Sequence, residues 1–509
     1  MKKIILVQPE NGLNEATYAP LGLISLAAYI RADFDVEIID LRFSSVDKLC
    51  DLIKKTKLLA VGFSMLTGSC ILQIIKTSQK IKAINPNVKI VVGGIHPTFF
   101  PEQTLEHPSI DFVVINEGEK TLKLLLEALS GKLSFDKIEN LGWKENGQIK
   151  INKTSEDFID MNELPQPAWD LIDVERYVQS LSHNPRERVI DFYTSKGCPF
   201  PCSFCYNLFF NKRKWRSKTA QRAFEELEFL HKNYEINYFV IHDDNFVVDR
   251  NRALEFARLI KEKKLKIKYS IDARVDYFDY NFLKELKESG LCELRVGCES
   301  GSNRVLREVI QKGITAEQTI KAIEVAKSLD LKLMLSFVIG WPTETVLERQ
   351  ETINLILWLQ KIYNKAAVYP LWIYIPYAGT VLFKKAIDLG FVPPRSLEEW
   401  GNYFWGKAHL PWIKNSHEYE IIHDLSPFAW YSKKLGSLAN KSFKNVVRHL
   451  LIKSFRILVL FRFKNNFWRW PVEAYVIAWL KKSLQLSAKK YEKFLAGISS
   501  KNRLKSSNG

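Results

Sequence analysis

A chain of 509 residues has room for about two to four domains. Its 46% hydrophobic content is that of a globular protein, and no run of 18 or more apolar residues predicts a membrane-spanning helix. The net charge of +17 is concentrated at one end: residues 431–509 hold 13 Lys and 5 Arg against Glu473 and Glu492, which is +16 and leaves +1 for the first 430 residues, so the body is not a polycation of the nucleic-acid-binding kind.

KIILVQP (3–9) predicts a first strand. PLGLISLAAYIRADF (20–34) carries helical spacing at Leu23, Leu26, Ala27 and Ile30. Further strands are expected at VEIID (36–40), LLAVGFSM (58–65), VKIVVGG (88–94) and DFVVINEG (111–118), with helices between them, among these 69–83 and 119–130. Strands alternating with helices predict an α/β domain over residues 1–135, a doubly wound parallel sheet of the Rossmann-like kind with ligands at the strand carboxyl ends. The loops there hold Ser64, then Gly93, Gly94 and His96, then Glu117 and Gly118. Glycine at such a point either lets a backbone approach a large ligand or simply makes a turn. The ordered set PLGLISLAAYIR, GGIHPT and EGE resembles the cobalamin-binding domain of one large subgroup of radical enzymes. The Asp-x-His-x-x-Gly motif that supplies a lower cobalt ligand is missing, and His96 does not stand in its context. The resemblance thus implies either cobalamin bound without a histidine ligand or a degenerate domain that binds nothing. The cofactor contacts it implies are Ser64, Gly93, Gly94, His96, Glu117 and Gly118.

Residues 136–186 lose the alternation; NELPQPAWDLIDVERY (162–177), with two prolines and Trp169, predicts a connector packed on the body. VIDFYTS (189–195) then predicts a strand, followed by GCPFPCSFC (197–205), with Cys198, Cys202 and Cys205 spaced C-x3-C-x2-C. Three readings compete for these thiols. Seven cysteines, an odd count, poorly serve a disulfide framework. MKKIILVQPE also reads as a strand and not as a leader, so a reducing, cytoplasmic compartment is expected. Structural zinc takes four ligands, and Cys50, Cys70, Cys292 and Cys298 are scattered singly. An iron–sulfur cluster held by three thiolates leaves one iron open to another ligand.

Five more strands are expected at 237–246, 265–274, 291–302, 331–342 and 366–380, with helices at 218–233, 250–263, 279–289, 303–311, 315–328 and 343–362. Six βα units predict a partial (β/α)6 barrel over 187–400, with its chemistry on the carboxyl-end loops. TSKGCPFPCSFC, placed after the first of these strands, resembles the signature of radical S-adenosylmethionine enzymes, with Lys196 where that family usually has Arg. The resemblance implies that Cys198, Cys202 and Cys205 bind a [4Fe-4S] cluster whose open iron takes S-adenosylmethionine. It implies that RVGCESGS presents Glu299 and Ser300 to the ribose or methionine part, and that VIGWPTET supplies Gly340 and Glu344. Reductive cleavage would yield a 5′-deoxyadenosyl radical, driven by a one-electron reductant such as ferredoxin or flavodoxin, with cobalamin supplying a methyl group. Methylation of an unactivated carbon leads; cyclisation, carbon–carbon coupling and oxidation suit the same architecture. Phe200, Phe204 and Tyr206 would either shield the cluster or pack the core. Asp243 and Asp244 would either accept hydrogen bonds from cofactor or substrate or cap the helix that begins near Asp249. Cys292 and Cys298 read as small buried apolar groups.

Residues 401–509 form a basic, mostly helical region. Over 441–482, Phe443, Val446, Val447, Leu450, Leu451 and Phe455 recur at helical spacing among Lys and Arg, with Trp468, Trp470 and Trp479 beyond. This reads as a peripheral membrane-binding segment on the inner face of the cell membrane, or as a helical cap with a solvated basic face. Nucleic acid is the weaker reading, because no recognition motif is present. A membrane-facing tail points to a lipid- or isoprenoid-type substrate. SSKNRLKSSNG at the end is expected to be disordered. The rival of another class is a non-enzymatic cobalamin- or zinc-binding sensor with a basic arm for membrane or nucleic acid.

Overall fold

The computed structural model describes residues 1–10, 18–180, 186–403, 408–430 and 455–474. The chain forms two compact units interleaved in sequence. One is Met1–Val178 with Phe209–Lys218 and Val392–Ala408; the other is Gln179–Leu208 with Thr219–Phe391 and the chain from His409 onward.

Among the described residues the first unit is built on a seven-stranded sheet. Its strands are β1 (Lys3–Gln8), β2 (Asp35–Asp40), β3 (Leu58–Ser64), β4 (Lys89–Gly93), β5 (Phe112–Val114), β6 (Leu141–Glu145) and β7 (Gln148–Ile151), in the order β2-β1-β3-β4-β5-β6-β7. The first five are parallel. Continuous apolar runs suit strands covered on both faces, and Ile4 through Val7 are all buried. Helices Leu21–Ile30, Val46–Lys55, Cys70–Ile84 and Glu119–Leu129 accompany them. An antiparallel hairpin, β6–β7, extends the edge and lies within the stretch expected as connector. The rest of that stretch is anchored as expected: Trp169 is buried, the Ala168 N–H donates to the Ile24 carbonyl at 3.0 Å, and the Tyr177 hydroxyl donates to Asp40 at 2.8 Å. The late segment Val392–Ala408 supplies core to this unit. Trp400 is fully buried, with its ring 4.8 Å from Phe100 and 5.6 Å from His96. A Cβ on Gly401 would lie 2.5 Å from Leu72 Cγ, so only glycine fits that contact.

The second unit carries β8 (Gln179–Ser180), β9 (Arg188–Phe192), β10 (Tyr238–Ile241), β11 (Lys268–Asp272), β12 (Leu291–Glu299), β13 (Lys332–Ile339), β14 (Ala366–Val368) and β15 (Trp372–Ile373). Strands β9 to β14 follow one another in the sheet, all parallel, with β8 antiparallel at one edge and β15 on β13. Six parallel strands in chain order with intervening helices give the partial barrel. Helices Ala220–Tyr234, Arg250–Glu262, Tyr280–Glu288, Ala316–Ser328 and Val346–Ile362 each open on a Thr or Asp side chain that accepts a first-turn N–H. Residues 303–311, expected as an α-helix, contain instead the short π-helical turn Val305–Val309.

Helix Ser416–Trp430 and a further helix over 455–465 represent the C-terminal region. Most of the segment expected as a basic amphipathic helix over 441–482, Trp479 included, lies outside the described residues, as does SSKNRLKSSNG. Among the described residues no helix is long and apolar enough to cross a membrane.

Candidate active site

The cysteine loop leaves the carboxyl end of β9 and is stitched at both ends by two aspartates that follow β10. Asp243 is buried and accepts four hydrogen bonds: from the N–H groups of Thr194 and Ser195 at 2.6 and 2.9 Å, and from their hydroxyls at 2.6 and 2.7 Å. The buried Arg252 beside it donates to the Thr194 carbonyl at 3.2 Å. Asp244 accepts the Gly197 N–H at 2.7 Å and the Tyr206 hydroxyl at 2.9 Å, so one carboxylate grips the residues on either side of the three cysteines. Gly197 sits at φ 84°, a left-handed conformation natural to glycine. The middle of the loop is tied separately: Ser203 donates through its N–H to the Ile310 carbonyl and through its hydroxyl to that of Val309, both at 2.9 Å, and its own carbonyl accepts the Leu382 N–H at 3.0 Å. The helix cap offered as one reading of the aspartate pair belongs to Asp249.

Cys202 is buried, and Cys198 and Cys205 are partly exposed. Burial, with the other thiols nearby, pushes Cys205 up to about 12 and Cys198 above the usual thiol range. Ligation to metal deprotonates such thiols, and the site holds cations to compensate. Arg274 Nη1 lies 3.7 Å from Cys202 Sγ, its guanidinium 3.6 Å from the Phe200 ring centroid, and two donors are fixed by Asp276 at 3.0 Å. Lys312 Nζ donates to Glu299 at 2.9 Å. Burial opposes its charge, but Glu299 and the Cys202 sulfur outweigh that and raise it above the usual lysine range. Among the described residues no three His, Cys, Asp or Glu side chains converge as ligands of one metal ion. Thiols around a single zinc would stand about 3.8 Å apart for bonds of about 2.3 Å, whereas a cubane takes them at three of its corners. The donor set of three thiols on one braced loop, with two cations alongside, fits the cluster; Cys198, Cys202 and Cys205 would hold it.

The other expected cofactor residues of this unit are distributed as follows. Glu299 ends β12 at φ 65° and pairs with Lys312; a Cβ on Gly297 would meet its Oε1 at 2.2 Å, so glycine there makes room for the pair. Ser300 is fully buried and bonds Thr352 Oγ1 at 3.1 Å. Gly340, at φ 76°, donates its N–H to Glu344 Oε2 at 2.6 Å. The Glu344 carboxyl is enclosed, its Oε1 has no hydrogen-bond partner, and burial lifts it to about 8. Phe204 packs 5.2 Å from Trp341. Cys298 is fully buried, while Cys292 is half-buried with its thiol 3.4 Å from the Tyr269 carbonyl. Sequence reasoning named neither Arg274 nor Lys312. Arg274 follows β11 at its carboxyl end, the position rule that singled out the other polar residues.

In the first unit, Ser64 and Gly93 are register partners at the carboxyl edge of β3 and β4. Gly94, at φ 112°, would place a Cβ 2.8 Å from the Met65 carbonyl, so the turn itself demands glycine there. His96 is fully buried between Phe100 and Trp400 with Nδ1 3.1 Å from Thr67 Oγ1, and burial holds it at about 4, neutral. Its Nε2 is buried with no hydrogen-bond partner. Glu117 pairs with Arg216 at 2.8 Å and, with Asn116, Lys120, Lys137, Asp157 and Phe158, lines a cleft of about 310 Å³. Gly118 precedes helix Glu119–Leu129, and a Cβ there would lie 3.0 Å from Leu26. Ser64, Gly93 and Glu117 lie at the carboxyl edge, where ligands of such sheets bind, and would be the residues that hold cobalamin.

The family model described as the B12 binding domain matches residues 15–126, and that of the radical SAM superfamily matches 192–356. An uncharacterized methyltransferase of Pyrococcus horikoshii is 37% identical over 76% of this chain and 83% of its own length. Cytidylyl-2-hydroxyethylphosphonate methyltransferase of Streptomyces wedmorensis is 26% identical over 82% of this chain and 88% of its own. The structure of the cobalamin-dependent S-adenosylmethionine radical enzyme OxsB, with aqua-cobalamin and S-adenosylmethionine bound, superposes with a TM-score of 0.70 at 19% identity, covering 91% of this chain and 72% of that one. Fold and site together define a radical S-adenosylmethionine enzyme with a B12 domain ahead of its barrel. The chain belongs to the cobalamin-dependent radical S-adenosylmethionine enzyme family, whose cofactors are a [4Fe-4S] cluster, S-adenosylmethionine and cobalamin.

Proposed function

We propose that this enzyme methylates an unactivated carbon of an apolar, lipid- or isoprenoid-type substrate. The observation that carries the radical chemistry is the braced loop holding Cys198, Cys202 and Cys205 beside Arg274 and Lys312. The methyltransferase relative at 37% identity supports methyl transfer as the outcome. When bound, the cofactors supply the electron, the radical and the methyl group, the electron coming from a ferredoxin- or flavodoxin-type donor. The chain's own residues do the rest. Asp243 and Asp244 fix the loop that positions the cluster. Arg274 and Lys312 offset the negative charge that three thiolates bring into a buried place. Phe200 and Phe204 exclude water from it. The basic, apolar C-terminal region supports the substrate class.

The test is an anaerobic assay of reconstituted protein with S-adenosylmethionine, hydroxocobalamin, a strong reductant and a total lipid extract, beside Cys202→Ala. Formation of both 5′-deoxyadenosine and S-adenosylhomocysteine, with deoxyadenosine lost in the variant, is expected. Deoxyadenosine alone would replace methylation by cyclisation or coupling. Methylated product confined to the water-soluble fraction would overturn the substrate class.

A further inference from the structure

Residues 455–474 of the second unit expose several large apolar side chains. The inner face of this segment is fixed by packing. Val459 and Phe463 are fully buried, and the Phe463 ring meets Trp430 at 5.4 Å and Trp468 at 5.0 Å. Helix Val346–Ile362 of the barrel holds it from below: Gln350 donates to the Phe463 carbonyl at 2.8 Å, and Arg349 to Asn466 Oδ1 at 3.0 Å. The turn that follows the helix is locked by one side chain. Arg462 is buried, pairs with Glu473 at 2.8 Å, and donates to the carbonyls of Phe467, Arg469 and Trp470 at 3.1, 2.9 and 2.8 Å.

What this scaffold presents to solvent is unusual for a charged region. Ile457, Leu458, Phe461 and Val472 are each more than half exposed, and Trp470 is 82% exposed. A cluster of large apolar side chains left in water marks an interaction surface. Exposed Lys464 and Arg469 stand among them, and the surrounding sequence 431–509 carries +16 of the chain's +17.

We propose that this face docks on an anionic bilayer surface, with Ile457, Leu458, Phe461 and Trp470 at the boundary of headgroups and acyl chains and the basic side chains on lipid phosphates. The combination of apolar anchors, an interfacial tryptophan and dense positive charge matches a segment that lies in the interface. Charge argues against a second copy as the occupant, because two regions of +16 would be brought together. The docking does not depend on which reaction the cofactors perform.

The experiment is co-sedimentation of the full-length protein with sucrose-loaded vesicles, of phosphatidylcholine alone or of phosphatidylcholine with about a quarter phosphatidylglycerol, in low and high salt. Wild type is expected to pellet with the anionic vesicles in low salt, with a blue shift of tryptophan fluorescence that Trp470→Ala diminishes. Leu458→Ser with Phe461→Ser, at exposed positions that leave the fold intact, is expected to weaken binding at least about tenfold. Three outcomes would overturn the proposal: no binding to anionic vesicles, undiminished binding by the double variant, or a vesicle-free dimer that the double variant abolishes.

Discussion

At the scale of single residues, the clearest division of labour is between ligands and braces. Cys198, Cys202 and Cys205 are legible in the sequence because their spacing is local and their chemistry has few other uses. Asp243 and Asp244 were legible as important polar groups but not as to role, because their partners lie 49 and 47 positions back along the chain. Only the return of β10 alongside β9 brings them to the loop. Removal of Asp243 strands two N–H groups and two hydroxyls in a buried place, at about 1–3 kcal/mol for each unsatisfied group. Asp244→Ala loosens the two flanks of the cysteines and leaves the turn at Thr194 intact. Asp243→Ala should therefore lower the melting temperature of the apoprotein. Asp244→Ala should leave it near wild type but reduce the iron retained after reconstitution and change the electron paramagnetic resonance of the reduced cluster. A brace that acted on fold alone would move the first readout and not the second.

At the scale of elements, the six βα units could be read from apolar runs and helical spacing, but their edges could not. The sixth strand, expected as one piece over 366–380, is broken into β14 and β15. Pro370 lies in the gap, and with no N–H it cannot continue the ladder. The hairpin β6–β7 lies in the stretch that the sequence predicts as connector, although its turn is Asn146-Gly147, both at positive φ (50° and 78°), a dipeptide that favours such hairpins. Pro165 and Pro167 further on mark the irregular part of that stretch. The turn from β13 into helix Val346–Ile362 carries a testable electrostatic consequence. Thr345 and Glu348 form a capping box at its start, and the enclosed Glu344 carboxyl faces Gly340, Arg349, Glu348 and Tyr419. Glu344 holds its proton more tightly in the folded chain, at about 8, than in the unfolded chain, at 4.5. Folded protein therefore binds more protons between these values, and stability falls as pH rises through that window, by about 1.4 kcal/mol per unit of displacement at most. Glu344→Gln should flatten the decline when denaturant midpoints are compared between pH 5 and pH 8. An unchanged slope would place the carboxyl in contact with water.

At the scale of the whole molecule, charge and sequence order tell different stories. The charge is separable, since a nearly neutral body precedes a strongly basic end. The fold is not, since Trp400, near the carboxyl end of the barrel sequence, completes the core of the unit that begins at Met1. Trp400→Ala should cost about 3–5 kcal/mol in that unit, as large-to-small changes of buried aromatics do, and expose His96. Chemical denaturation should show the loss as a lower midpoint, accompanied by faster proteolysis within residues 1–178.

The interleaving also sets a timetable. His96 leaves the ribosome about 300 residues ahead of the tryptophan that covers it. At about 5–20 residues per second the gap is roughly 15–60 s. Throughout that interval the nascent first unit displays an uncovered apolar wall around Phe100 and Leu72. The domain that begins the chain is thus among the last to be finished, and its yield in the cell depends on what shelters it until residue 408 has been made.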